Sequence, residues 1–552
     1  LISLAYFIKY RNIQWGNGSI SEEQIPFRHL SRERQRAVSL GEPVAHTSGS
    51  DFISREPVAH TSGSDFISRL RRNDKEADMR FGRKTFVILM SCMLMTDTFF
   101  PKHAACITIR EEEELSREFM KMVLRSSMLI NDPLPVNYVN EVGNRVLSVF
   151  PAQPFPFHFY IINEDVYNAF AAPAGHIFIN SGLFEAMENE DELAGILAHE
   201  ISHTVCRHIS QKIARSSKIS LITLAGLAAS LFLGGGAVAN ALGIGSIAAG
   251  QSLSLAYSRE DERQADQMGL KYLREAGYSS AGLLTMLKKI RNKQWYGSNE
   301  VPTYLMTHPA IEERIVYIED QESGVRGQGT GDRGQKFREA HTCLTALYGD
   351  EDAVFKQFES DVAKNPDDPV SNYGYGLILA RTGNRNKAII YLKKALGKNP
   401  FDAYILKDLG IAYFSDGQYA EALKTLEGSV SIAPSDPEGL FFMGRAQLEL
   451  QQFESAESTL KSLMEKHPDY RQAFYFLGEA CGRQEKADLS HYYLGMYYEY
   501  RRDLRNALFH FERSLKLTTN PDKKAEIEEK LKELKAEKLK IERSEDKPGA
   551  QK

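Results

Sequence analysis

Hydrophobic and polar positions change their period several times along this 552-residue chain. From 107 to 322 the pattern mixes strand and helix. "PFHFYIIN" (Pro156–Asn163) and "GHIFINSG" (Gly175–Gly182) are rich in β-branched and aromatic residues and bounded by turn formers, so both predict strands. "NAFAAPAG", between them, predicts a loop. "NEDELAGILAHEISH", Asn189 to His203, predicts a helix: Asn189 can cap it, Glu192 follows three residues on, and acidic residues in the first turn suit the helix dipole. Residues 219 to 258 carry no charge and are rich in Gly, Ala, Leu and Ile. The glycine interruption "GGGAVANALGIG" leaves each half short of a clean span, so we read a buried or membrane-touching helical insertion, with a transmembrane hairpin as the alternative. "SGVRGQGTGDRGQ" (Ser323–Gln335) has the composition of a flexible linker and sets a boundary at 323–338.

Beyond it the period lengthens. Pro366, Pro400, Pro434 and Pro468 are spaced by 34 residues, as are Gly376, Gly410, Gly444 and Gly478, and Ala388, Ala422 and Ala456. Gly495 and Ala507 keep the Gly-to-Ala step of 12 in a shifted register. The pattern resembles the tetratricopeptide repeat, with small residues where two helices cross and proline where a unit ends. It covers 339–518, with a weaker first unit around Cys343–Lys364. Residues 519–552 mix charges and predict a solvated helix or a disordered tail.

The N-terminal 78 residues differ from the rest. The chain starts on Leu1, and "EPVAHTSGSDFISR" occurs twice in tandem, at Glu42–Arg55 and Glu56–Arg69. Such a copy reads as a recent duplication or translated upstream DNA. From Met79, a basic stretch (Arg80, Arg83, Lys84), an apolar run (Phe86–Met95) and small residues Ala104 and Ala105 follow the grammar of an export signal over 79–106. Cys106 is a candidate lipid attachment site with a poor surrounding match. The net charge of -5 offers no basic excess for nucleic acid, and five scattered cysteines form no disulfide framework or Cys-type metal site.

"LAHEISHTVCRH" (Leu197–His208) carries the candidate chemistry. On a helix His199 and His203 share a face and can present ring nitrogens to one ion. Glu200 sits one step round, where its carboxylate reaches a water beside the ion and can act as general base. HExxH alone arises by chance in roughly a few per cent of chains this long, so context decides. A third ligand is needed. His208 lies nine residues after His199, short of the metzincin spacing, and reads as a structural helix-face histidine. In "YSREDERQADQMG" (Tyr257–Gly269), Glu262 can complete a His-His-Glu site. Asp266, four residues on, could orient a ligand histidine or act as an acid. An ordinary charged helix face explains this stretch equally well.

"NAFAAPAGHIFINSGL", "DELAGILAHEISH", "SREDERQAD" and "THPAIEERI" follow the order and spacing of the HtpX-like gluzincin metallopeptidases, which the chain resembles from Met79 to about residue 518. With an export signal ahead and repeats behind, it is most similar to the periplasmic β-barrel assembly-enhancing type. The resemblance implies an α+β zincin-like metallopeptidase domain (107–322) followed by an all-α repeat solenoid. It implies one zinc held by His199, His203 and Glu262, Glu200 as base, Asp266 as proton donor, and His308 approaching the zinc in a closed resting form. The expected function is an exported zinc endopeptidase that degrades unfolded or misassembled polypeptides, pairing them with the edge of strand His176–Asn180. Its repeats would recruit outer-membrane assembly machinery, and 219–258 could touch the membrane. The alternatives are a repeat-based scaffold with a silent site, and an integral membrane protease.

Overall fold

The computed structural model describes residues 107–126, 128–215, 257–296, 303–322, 331–397 and 399–545. The N-terminal extension, the export signal with Cys106, nearly all of the uncharged run and linker residues 323–330 lie outside the described residues. Among the described residues no helix is long and apolar enough to cross a membrane.

The first layer is helix α1 (Ile109–Ser126), followed by β1 (Leu129–Ile130), α2 (Pro133–Leu147), β2 (His158–Ile162), β3 (Ala169–Ala172) and β4 (His176–Asn180). The sheet order is β1-β2-β4-β3, with β2 and β4 parallel and the other pairs antiparallel. Alternation sorts the side chains. Phe159, Ile161, Ile177 and Ile179 enter one core, while Ile162, Phe170 and Phe178 face Leu115, Phe119 and Val123 of α1. Two expectations are corrected here. The segment expected as a loop contains β3, because Ala169–Ala172 pair with β4. β4 is therefore internal, and the outer strand beside the active helix is β3.

Next come α3 (Ser181–Glu185), α4 (Glu190–Val205), α5 (His208–Arg215), α6 (Arg259–Glu275), α7 (Ala281–Tyr296), α8 (Thr303–Thr307) and α9 (Ile311–Glu322). Asn189 caps α4 by accepting the Glu192 backbone N–H at 3.1 Å. Leu193, Ile196, Leu197 and Ile201 bury one stripe of α4 against the sheet. α6 opens on a capping box between Ser258 and Asp261 and crosses α4 closely at Gly269, where a Cβ would stand 3.2 Å from the Ala198 carbonyl. That crossing sets Glu262 and Asp266 over the histidine face of α4.

α10 (Gly331–Tyr348) corrects the linker: residues 331–338 are helical. Phe337, Ala340 and Leu344, at helical spacing, join the core beneath the sheet, whereas Cys343 and Ala346 join the first repeat core. The helix is shared between the two regions, and its glycine-rich start disguised that stripe.

The repeats follow as α11 (Glu351–Lys364), α12 (Pro369–Arg381), α13 (Arg385–Leu396), α14 (Ala403–Ser415), α15 (Tyr419–Ile432), α16 (Pro437–Glu449), α17 (Phe453–Lys466), α18 (Ala473–Arg483), α19 (Ala487–Tyr500) and α20 (Leu504–Leu517). Their glycine period has a packing cause. A Cβ on Gly376, Gly410 or Gly444 would meet Leu392, Leu426 or Leu460 of the partner helix at 2.8, 2.6 and 2.7 Å. Of the two expectations for 519–552 a helix forms, α21 (Pro521–Glu545), but one stripe of it is packed and not solvated: Ile527, Leu531 and Leu534 are buried on Ala507, Phe511 and Tyr492. It covers the apolar face that the last repeat would otherwise expose.

The two regions touch through charge as well as through α10. Asp132, which caps α2, lies 3.7 Å from the buried Lys407 ammonium on α14. Asp408 and Glu438 flank the same nitrogen at 3.3 and 3.0 Å.

Candidate metal centre

α4 presents His199, Glu200 and His203, all fully buried, toward α6 and the loop after α8. One ligand atom from each of His199, His203, Glu262 and His308 lies within 4.8 Å of the other three. The Nε2 atoms of His199 and His203 are 3.0 Å apart. Glu262 Oε1 lies 3.4 Å from His203 Nε2 and 3.0 Å from His308 Nδ1. The sequence candidates therefore converge, although Glu262 and His308 come from distant stretches.

The outward nitrogens are held. His199 Nδ1 sits 2.8 Å from Asp266 Oδ1, so its N–H donates to that carboxylate and leaves Nε2 turned inward. Asp266 is in turn gripped by Arg314, whose Nε and Nη2 lie 2.8 Å from its two oxygens, and by the Tyr317 hydroxyl. Arg314 Nη1 also reaches Glu262 Oε2 at 2.6 Å. Burial opposes ionisation of Asp266 and Glu262 most strongly, but Arg314 and the neighbouring histidines together outweigh it and hold both carboxyls well below their ordinary range. An ionised Asp266 accepts hydrogen bonds. Its placement fits orientation of His199, one of the two roles the sequence left open.

Glu200 differs. Both its carboxylate oxygens are buried without a hydrogen-bond partner, as is His308 Nε2, 3.7 Å away. Burial pushes the Glu200 carboxyl up, which favours a group that takes a proton. Burial pushes His203 well down, so its imidazole is neutral, the form that binds metals. Imidazole nitrogens and a carboxylate, with orphaned polar atoms beside them, fit a divalent transition metal.

His308 is positioned by a short segment. Tyr304 on α8 stacks on its ring at 4.2 Å. The Tyr304 N–H donates to Tyr167 O just ahead of β3, and the Tyr257 N–H to Thr307 O. His208 is not among the convergent ligands. Arg314 and Tyr317 carry the site but were not singled out from the sequence. Arg314 follows His308 by six residues inside "THPAIEERI", and that adjacency is the one signal that could have found it.

This fold and donor set define a metallopeptidase domain joined to a helical repeat. Residues 133–322 match peptidase family M48, and residues 373–437 and 413–478 match tetratricopeptide repeats. The chain carries an M48 metallopeptidase domain followed by a tetratricopeptide-repeat region. It is 29% identical over 263 residues to the beta-barrel assembly-enhancing protease of Yersinia pestis, covering 47% of this chain and 54% of that protein. It is 30% identical over 222 residues to the protein of the same name from Escherichia coli K12, covering 40% and 45%. Mitochondrial metalloendopeptidase OMA1 of Schizosaccharomyces pombe is 31% identical over 183 residues, covering 33% and 52%. The chain spans about half the length of the curated relatives it matches.

Proposed function

We propose that the chain is a zinc-dependent endopeptidase acting on unfolded or misassembled polypeptide. The carrying observation is the buried convergence of His199, His203, Glu262 and His308 beside the unpartnered carboxylate of Glu200. Histidine and glutamate are zinc's usual partners in hydrolytic sites, and three protein ligands leave a position for reaction. His199, His203 and Glu262 would hold the ion; bound zinc supplies a Lewis acid and lowers the pKa of water. Glu200 takes the proton from the attacking water and delivers it to the leaving amine. Asp266 and Arg314 keep His199 in one tautomer and neutralise the surrounding charge.

His308 would close the site at rest, since its Nδ1 stands among the donors that would hold the ion. The segment that carries it is tied to the backbone beside β3, the outer strand of the sheet. A client strand adding to β3 would approach that tie at Tyr167, which couples peptide binding to release of His308. Backbone pairing tolerates many side chains and selects extended chains.

Export to the periplasm and a role in outer-membrane protein quality control are supported by the signal grammar of 79–106 and the names of the relatives. The repeats would recruit assembly machinery. Unfolded casein incubated with wild type and with Glu200→Gln tests the reading: wild type should degrade it and the variant should not. Turnover by neither would favour a scaffold whose repeats act alone, and equal turnover by both would remove Glu200 from the reaction.

A further inference from the structure

His199 has a carboxylate behind it, but His203 does not. Behind His203 stands His208, the histidine that the spacing left as structural. His208 is 1% exposed, and its Nδ1 lies 2.9 Å from His203 Nδ1. Its other nitrogen, Nε2, lies 3.1 Å from Gln264 Oε1 on α6, the helix that carries Glu262.

The proton positions follow from the geometry. His203 turns Nε2 toward the cluster, 3.0 Å from His199 Nε2, so as a neutral ligand it carries its proton on Nδ1. That N–H must donate to His208 Nδ1, which is therefore the acceptor. His208 then carries its own proton on Nε2, and that N–H donates to Gln264 Oε1. A run of two hydrogen bonds joins the two ligand-bearing helices and permits one tautomer at each ring.

A continuous helix would not make this contact, because residues five apart do not share a face. The chain breaks its helix at Arg207, a non-glycine residue with φ of 53°. This left-handed backbone costs energy and persists where neighbours hold it. Here they do: Arg207 Nη2 and Nε lie 2.6 and 3.1 Å from Glu112 Oε2, and Nη2 donates to Ile107 O at 2.9 Å. Glu112 is 2% exposed and also accepts the Ala174 backbone N–H at 3.2 Å.

We infer that His208 is a positioning residue that fixes the tautomer and direction of His203, set in place by the Glu112–Arg207 clamp. The inference rests on the site being a zinc centre. Outer groups of this kind typically shift metal affinity by about 10–100-fold. The test measures zinc affinity of the full chain by chelator competition. His208→Phe, which keeps volume and removes the acceptor, should weaken zinc binding by about 10–100-fold. His208→Asn, which restores a carbonyl acceptor, should recover part of the loss. Zinc affinity of His208→Phe within twofold of wild type would overturn the inference. Wild-type protein with ¹⁵N-labelled histidine covers the case of a variant that does not fold. The zinc form should show His203 protonated on Nδ1 and His208 on Nε2; the reverse tautomer at His208 would refute the inference. If wild type binds no zinc at all, the proposed function fails instead.

Discussion

Among the described residues, two clusters of buried charge are built on opposite plans. Around Lys407, a cation of the chain sits at the centre, with Asp132, Asp408 and Glu438 converging on one ammonium. At the metal centre the donors of His199, His203, Glu262 and His308 converge on each other, while the chain's cation, Arg314, stands behind them. In the first cluster a lysine brought by a repeat helix joins that helix to the cap of α2. In the second the guanidinium neutralises Glu262 and Asp266 from outside and leaves the inward lone pairs for a metal. Buried carboxylates need a counter-charge in either case. Where the chain places that charge separates a structural lock from a site for chemistry.

The largest expected effect tests the metal side of the contrast. Glu262→Ala should leave the purified chain with far less than the one zinc expected, and casein turnover should fall by about 10³-fold or more. Zinc retained at wild-type stoichiometry would show that Glu262 is not a ligand. Next is the lock. Lys407→Met strands the largely buried carboxylates of Asp132 and Asp408, beside the part-exposed Glu438, and should cost about 3–5 kcal/mol in denaturant titration, with no recovery on adding zinc. A loss under ~1 kcal/mol would mean that the lysine does not bind the two regions together.

His308 tests whether the centre is held closed. His308→Ala should raise basal casein cleavage and self-cleavage by about tenfold, as expected if the open form is ~10% populated at rest. Zinc should remain bound. A fall in rate would instead assign His308 to the reaction itself, and an unchanged rate would remove it from both roles.

The smallest effect concerns pH at the lock. Burial pushes the Asp408 carboxyl up to about 7, against the pull of Lys407. Its folded value lies above its unfolded value, so the folded state binds the extra proton between about pH 4 and 7. Stability from this group is fully present below about pH 4 and is lost as pH rises through 7. The protein should be about 1 kcal/mol more stable at pH 6 than at pH 8 through this group alone. Asp408→Asn should remove that slope while keeping the Tyr373 hydroxyl as a donor at this position. An unchanged slope in the variant would place the proton elsewhere.

Local pattern carried much of the picture. The cap at Asn189 and the four-residue step from His199 to His203 were readable because a helix repeats over a few residues. So was the 34-residue repeat, because each glycine meets a leucine 16 residues later in the same unit. Sequence by itself thus determined the active helix, the repeat region and the general base candidate. Tertiary structure decided the rest. Whether strand His176–Asn180 lies inside or at the edge depends on a neighbour, β3, with a composition that reads as a loop. Whether Gly331–Gln335 is linker or helix depends on two cores that Phe337 and Cys343 reach on opposite faces. Arg314 and Lys407 acquire meaning only from partners across the fold, and His208 only from a helix break at Arg207 and from Gln264, since the Coulomb and hydrogen-bond terms that place them act over a few ångströms of space and leave no period along the chain.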